Sequence, residues 1–310
     1  MDKLLVIRRR NLGRSSAKAF SQLLEQEGIQ SVVWRNDRSF QRALRRLGSG
    51  DYAVLRWGCT ASTPMHTSAS YSPSGLSLNK SAGIHTVNNK VGFLQTLTRL
   101  ENQTGLLPLV VLGPTSTTES FTQVQSLQDD PSQQWVVRPA THSQGRNLRV
   151  LTTGQMLSVG QSMTFNGYAR PLVNKSAEYR VFVVNGKAVN VVKKTPSNSS
   201  AVAWNVAQGG RFDNVRWGDW PINVVDLACR IAPHTGLNIT GIDIMVDHDD
   251  NAWFIEANSA PTLPFNSDGS FTYRQKCVAK ALAYTLKENS EMFPYQQGET
   301  WRDYVHPAIQ

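Results

Sequence analysis

The run Gly241-Ile-Asp-Ile-Met-Val-Asp-His-Asp-Asp-Asn-Ala-Trp-Phe-Ile-Glu-Ala-Asn-Ser-Ala-Pro261 has the pattern of a chain that folds back on itself. Ile242, Ile244 and Val246 alternate with Asp243, Met245 and Asp247. Ala252, Phe254, Glu256 and Asn258 then alternate with Trp253, Ile255 and Ala257, so two strands meet at an Asp/Asn-rich turn. If the turn runs from His248 to Asn251, Asp247 faces Ala252 and Asp243 falls opposite Glu256. Opposed side chains are about 5 Å apart. Two carboxylates at that distance repel unless one is protonated or a cation lies between them, and Asn258 adds a neutral oxygen beside Glu256. A solvated polar face is the plainer alternative. Trp253, Phe254 and Ile255 argue against it, because a strand buried on both faces leaves a carboxylate in need of a partner. The pattern favours a hard divalent ion.

Outward from this hairpin, composition sets the class. The chain has 310 residues, 40% of them hydrophobic, with no long apolar run, which predicts a globular protein of two or three compact units and no membrane span. Leu4 to Ile7 is too short for a signal-peptide core and reads as a first strand, so a cytoplasmic protein is expected. Cys59, Cys229 and Cys277 are odd in number and widely spaced, the pattern of ordinary thiols rather than of a disulfide framework or zinc site. A net charge of +9 predicts an anionic partner: nucleotide phosphates, an acidic peptide or, as a secondary reading, nucleic acid.

In chain order, Leu4–Ile7, Ser31–Trp34 and Tyr52–Arg56 read as strands, with helices at Ser15–Glu27 and Ser39–Leu47 between them. Such alternation builds a parallel sheet whose ligands sit beyond the carboxyl ends of the strands, here near Arg8, Arg35 and Arg56. Residues 60–80 read as a polar loop, followed by a helix capped by Asn88 or Asn89 with Lys90 in its first turn. A lysine there opposes the helix dipole, which hints at another use. Pro108–Leu112 and Trp135–Pro139 are expected strands, Thr118–Leu127 a helix, and Thr141–Asn147 a polar loop in which Gly145 lets backbone N–H groups approach an anion. Leu148–Leu151 returns as a strand.

Asn185-Gly186 between two β-branched runs is a strong hairpin signal. A two-residue turn would put Arg180 across from Val191, without an evident partner, and Glu178 across from Lys193 as an ion pair. A helix from Ile222 to about Thr235 and a final helix from Tyr273 to Lys287 complete the elements, and the aromatic tail is expected to pack back on the body. Arg211, beside Gly209-Gly210, joins Arg8, Arg35 and Arg56 as an expected wall of a cleft that attracts an anionic substrate.

This order of elements resembles the ATP-grasp superfamily. Glu178-Tyr-Arg-Val is similar to its E/D-x-R-V strand, and Gly241-Ile-Asp with Ile255-Glu-Ala-Asn-Ser-Ala-Pro is similar to its G-x-D…h-E-x-N-x-x-P hairpin. Within the superfamily the sequence looks closest to carboxylate–amine ligases that add amino acids to peptides or proteins, such as ribosomal-protein glutamate ligases and phage-encoded relatives, the latter acting in a host cytoplasm. The fold class implied is α/β (α+β). Residues 1–87 would form an N-terminal parallel α/β domain, 88–170 a subdomain with the phosphate lid, and 171–310 a subdomain with the metal hairpin.

The resemblance also implies roles. Lys90 and Arg138 would hold ATP phosphates, with Ser143 and Gly145 in the covering loop. Leu172 and Val173 would face adenine, and Glu178 the ribose. Arg180 and Asn205 would face the transferred phosphoryl and acyl groups, and Arg211 completes the expected catalytic set. Asp243, Glu256 and Asn258 would bind two Mg²⁺ ions, for which Mn²⁺ is a substitute. Two departures stand out: arginine at 138 where the family has lysine, and Ser-Ala-Pro-Thr-Leu in place of its Pro-Gly pair. The implied reaction activates a carboxylate with ATP and joins it to the amine of an amino acid, peptide or protein. The competing readings are a ligase for other acid and amine classes, and an ATP-binding or nucleic-acid-associated protein of the same fold without turnover. Nothing in the sequence speaks to oligomeric state.

Overall fold

The computed structural model describes residues 1–10, 14–61, 71–100, 104–113, 132–140, 147–160, 165–198, 201–204, 209–288 and 290–310. The helix expected at Thr118–Leu127 lies outside them. Among the described residues no helix is long and apolar enough to cross a membrane.

Leu4, Leu5, Val6 and Ile7 are fully buried, as a central parallel strand requires. They belong to β1 (Lys3–Arg8), which lies in a four-stranded parallel sheet with β2 (Gln30–Arg35), β3 (Gly50–Trp57) and β4 (Tyr71–Leu78) in the order β2-β1-β3-β4. Alternation along β1 splits two cores. Leu5 and Ile7 pack with Trp34 and with Leu44 of α2 (Phe40–Leu47). Leu4 and Val6 pack with Phe20 and Leu24 of α1 (Arg14–Gln26). The strand β4 replaces part of the loop expected at residues 60–80. Pro73 and Gly75 obscured it in the sequence, and an edge position is where a strand tolerates them.

Asn89 caps α4 (Lys90–Thr98), accepting from the Gly92 N–H at 3.1 Å, immediately after α3 (Ser81–Asn88). A second, antiparallel sheet follows in the order β5-β8-β6-β7, with β5 at Val110–Leu112, β6 at Gln134–Pro139, β7 at Arg149–Thr152 and β8 at Gly167–Pro171. Neither β8 nor α5 (Thr153–Gly160), whose Met156 packs with Trp135 and Val137, follows from the sequence pattern.

The largest sheet is antiparallel, in the order β11-β10-β9-β12-β13: β9 at Lys175–Val184, β10 at Lys187–Thr195, β11 at Arg211–Asn214, β12 at Ile239–Asp247 and β13 at Ala252–Asn258. Its two faces separate by residue parity on β9. Val181 and Val183 join the core built on Val224, Val225 and Ala228 of α6 (Ile222–Ile231). Phe182 and Val184 join the core built on Val278 and Leu282 of α7 (Tyr273–Glu288), which also packs on α1. The helix expected to run to Thr235 stays α-helical only to Ile231, then tightens to a 3₁₀ turn at Ala232–Thr235 carrying Pro233, which has no N–H to donate.

Asn185 and Gly186 form the β9–β10 turn with φ of 47° and 84°, and the C-terminal tail docks on it, the Phe293 N–H donating to the Asn185 carbonyl at 2.9 Å. A Cβ at position 186 would sit 2.6 Å from the Phe293 carbonyl oxygen as well as in a left-handed conformation. Gly186→Ala should therefore lower stability by about 1–3 kcal/mol, read as the midpoint of urea unfolding. A midpoint equal to wild type would show that the turn and tail relax without cost.

Candidate active site

Cross-strand partners share a face of a sheet, and on the largest sheet this rule assembles a row of charges. Arg180 of β9 lies opposite Asp243 of β12, and Asp243 opposite Glu256 of β13. Asp243 and Glu256 are the pair expected from the sequence, reached by a different route. The turn is one residue longer than expected, so Val246, not Asp247, faces Ala252, and an irregularity next to Asp243 restores the pairing. In the Asn185-Gly186 hairpin no second irregularity restores the expected register. A bulge between Ala188 and Asn190 moves Arg180 opposite Val192 and Glu178 opposite Lys194, so the expected Arg180–Val191 and Glu178–Lys193 pairings do not form.

The consequence is a buried ionic network. Arg180 clasps Asp243 through Nε and Nη2 at 2.6 and 2.8 Å. Lys194, 2% exposed, donates to Asp243 Oδ2 and to Glu178 Oε1, both at 2.7 Å, while Lys175 pairs with the other oxygen of Glu178. Arg180 thus has a partner, which its position on β9 alone did not reveal. Burial disfavours the Asp243 charge, but Arg180 and Lys194 outweigh it and hold its pKa below the usual carboxylate range. Glu256 behaves alike. Burial pushes its pKa up, and the charges of Lys90, Arg138, Lys194 and Arg180 bring it well below normal. Lys90 Nζ sits 3.7 Å from Glu256 and donates to the Ala257 carbonyl at 3.1 Å. The repulsion expected between Asp243 and Glu256 is therefore answered by the protein's own cations.

Close packing explains the glycine at position 241 of β12. A Cβ there would lie 2.7 Å from Pro261 Cβ and 3.3 Å from Arg180 Cδ, in the space that lets Arg180 lie against the sheet. Asn258, opposite Gly241, donates to Glu256 at 3.3 Å.

These residues floor a cavity of about 720 Å³, whose opposite side is built by Val136, Arg138, Tyr168 and Arg170 of the smaller antiparallel sheet. That size suits a nucleotide-scale ligand. Of the residues singled out from the sequence, Arg138, Leu172, Val173, Glu178, Arg180 and Arg211 line it, as do Asp243, Glu256 and Asn258. Lys90 reaches Glu256 without lining it. The Leu172 N–H donates to the Gln134 carbonyl at 2.8 Å, so that donor is committed within the fold. Arg8, Arg35 and Arg56, expected as a wall, do not line the cavity. Arg8 bonds the carbonyls of Arg9 and Arg10, Arg35 pairs with Asp37, and Arg56 donates to Ser77. Ser143, Gly145 and Asn205 lie outside the described residues.

Lys175, Lys194, Tyr168, Arg170 and Arg274 also line the cavity and were missed from the sequence. Lys194 adjoins Lys193, the expected partner of Glu178, and only the bulge distinguishes them. Arg170 sits on a strand not anticipated. It is 7% exposed, bonds the Phe254 carbonyl at 2.7 Å, and burial lowers its pKa to about 10.

Among the described residues, no group of three or more His, Cys, Asp and Glu side chains could hold a metal ion. Asp243, Glu256 and Asn258 offer two carboxylates and an amide, an all-oxygen donor set, and both carboxylates are held ionised. That chemistry fits Mg²⁺ rather than a softer ion.

Residues 155–272 match the family model of the RimK-like ATP-grasp domain. Solved structures share the fold over nearly the whole chain. A Chryseobacterium gregarium RiPP-associated ATP-grasp ligase, in complex with ADP and a leader and core peptide, superposes with a TM-score of 0.61 at 12% identity, covering 96% of this chain and 100% of its own. The ATP-grasp ligase PsnB, complexed with minimal precursor, Mg and ADP, gives 0.60 at 11%, covering 92% and 98%. D-alanine–D-alanine ligase from Bacillus anthracis, complexed with ATP, gives 0.55 at 11%, covering 93% and 99%. No curated protein is significantly similar in sequence.

Proposed function

We infer that this chain, which has the ATP-grasp fold and a RimK-like ATP-grasp domain at residues 155–272, is an ADP-forming carboxylate–amine ligase acting on a peptide or protein. The observation that carries the reading is the row Arg180–Asp243–Glu256 with Lys194 and Glu178, lying in a nucleotide-sized cavity between two antiparallel sheets. Phosphoryl transfer needs positioned charge and no nucleophilic side chain, and this cavity supplies charge of both signs. The peptide-bound relatives support a peptide as one substrate.

In this reading residues 88–170 and 171–310 grip ATP. Leu172 and Val173 face the adenine, while Arg138 and Lys90 attract the phosphates. Arg138 does so as a planar fork where lysine would act as a point charge. Glu178 spends one lone pair per oxygen on Lys175 and Lys194, which leaves acceptor capacity for ribose hydroxyls. Asp243, Glu256 and Asn258 would hold Mg²⁺, which neutralises phosphate charge when bound. Arg180, fixed by Asp243, and Arg211 of β11 orient the acid substrate, and the roles expected of Ser143 and Gly145 at the phosphates and of Asn205 at the acyl group belong to the same reading. The carboxylate takes the terminal phosphoryl group of ATP to form an acyl phosphate, and an amine then displaces phosphate. Excluding water protects that mixed anhydride from hydrolysis.

Incubation with ATP, Mg²⁺ and pools of amino acids and peptides should yield ADP, phosphate and products heavier than one reactant by the other less water, read by mass spectrometry. ATP binding without ADP or any condensed mass would instead support the non-turnover reading.

A further inference from the structure

Three successive backbone carbonyls at the end of β13 are each held by a side chain from another element. The Ala257 carbonyl accepts from Lys90 Nζ at 3.1 Å, the Asn258 carbonyl from Thr240 Oγ1 at 3.1 Å, and the Ser259 carbonyl from Asn79 Nδ2 at 3.4 Å. Lys90 belongs to α4 and Thr240 to β12. Asn79 directly follows β4, is fully buried, and has no part in the reading above.

Asn79 does more than touch Ser259. Gly241 faces Asn258 across the β12–β13 ladder, so a longer β13 would bring Ala260 opposite Ile239. The Asn79 amide takes that place. Its Nδ2 donates to the Ile239 carbonyl at 2.9 Å and its Oδ1 accepts from the Ile239 N–H at 2.8 Å, the two bonds that a partner residue on a strand would make. The strand therefore stops at Asn258, and Ala260, Pro261 and Thr262 turn into the cavity wall. Holding the amide there needs a left-handed backbone at Asn79, with φ of 49° and its N–H donating to Asn238 Oδ1 at 3.1 Å. Asparagine tolerates that conformation better than most residues.

The Asn258 side chain donates through Nδ2 to the Gly241 carbonyl at 3.4 Å and to Glu256 at 3.3 Å, and among the described residues its Oδ1 accepts no hydrogen bond. The direction of that oxygen follows from where the backbone at 258 and 259 is fixed. Lys90 is drawn to the phosphates in the ligase reading, which leaves the two neutral tethers. We propose that Asn79 is a positioning residue for the divalent-ion site: it ends the ladder at Asn258, holds Ser259, and so aims the Asn258 amide oxygen at the ion. This rests on the ligase reading, in which Asn258 is a ligand of Mg²⁺.

Titration calorimetry of ADP binding to the full chain, over a series of Mg²⁺ concentrations, tests the role. Asn79→Gly accepts the left-handed backbone and removes every side-chain bond. Asn79→Asp keeps the size and the bond from the Ile239 N–H, but its carboxylate donates to neither carbonyl. Each should raise the Mg²⁺ concentration that half-saturates the tightening of ADP binding by about tenfold, while ADP affinity without Mg²⁺ stays within about twofold of wild type. Gly186→Ala, at a turn that does not line the cavity, should move neither value. One folded Asn79 variant is enough for the comparison. An unchanged Mg²⁺ dependence overturns the proposal. So does an equal loss of ADP affinity with and without Mg²⁺, or a shift of the same size in Gly186→Ala, because either marks a general loosening of the fold. Failure of both Asn79 variants to fold overturns it as well, since Asn79 would then serve the fold as a whole. If Mg²⁺ does not tighten ADP binding to the wild type, the metal assignment of the ligase reading fails, and the proposal falls with it.

Discussion

Lys194→Met is expected to destabilise the protein by about 3–5 kcal/mol, because it removes the shared cation of two buried carboxylates. Methionine fills much of the volume, so the loss is electrostatic rather than a cavity effect. Acid sensitivity should change in a defined direction. The folded pKa of Asp243 is depressed, so its contribution to stability is fully present above the unfolded value of about 3.9 and is lost as pH falls through the folded value. Lys194 is one of the two cations that depress it. Without Lys194 the folded pKa rises, the contribution shrinks, and acid unfolding should begin at higher pH. Urea unfolding at neutral pH and circular dichroism along an acid titration measure both effects. A variant within about 1 kcal/mol of wild type with an unmoved acid midpoint would mean that the network is solvated rather than buried.

For activity, the largest expected effect is at Glu256. Glu256→Ala should cut turnover by about 10²-fold or more, since one strong electrostatic stabiliser is worth roughly 3 kcal/mol at a transition state. The fold should persist at some cost in stability, since the cations that hold the Glu256 pKa down lose their counter-charge. The side chain is 23% exposed and its ion pair with Lys90 spans 3.7 Å, a separation at which a partly solvated pair contributes under about 1 kcal/mol. The reason differs from the one the sequence suggests. Removing Glu256 does not relieve repulsion with Asp243, because Lys90, Arg138, Lys194 and Arg180 already offset it. Turnover equal to wild type at limiting Mg²⁺ would remove Glu256 from the proposed metal ligands.

Much of the fold is written in local patterns. The parallel βαβαβ start, the Asn89 cap before Lys90 and the Asn185-Gly186 turn follow from side-chain periodicity and from the few residues that tolerate a cap or a left-handed turn. The elements that were missed had weak local signals. Tyr71–Leu78 carries a proline and a glycine, and Gly167–Pro171 is short. The acidic hairpin was legible as chemistry, since Gly241, Asp243, Glu256 and Asn258 recur at strand spacing. Its turn is one residue longer than the pattern predicts, and an irregularity in the ladder makes up the difference.

The sequence by itself determined the first three parallel strands, the Asn185-Gly186 hairpin and the acidic hairpin, and that Asp243 and Glu256 face each other. Tertiary structure alone decided which cations answer them. The bulge at Val189 exchanges Lys193 for Lys194, and it lies where the C-terminal tail joins the sheet, with Val305 bridged to Ala188 and the His306 N–H bonded to the Ala188 carbonyl. Side-chain direction in a strand alternates with every residue, so one extra residue in the ladder turns a solvated lysine into a buried one. In this chain the contacts at that point come from residues more than a hundred positions away, beyond the reach of any local pattern.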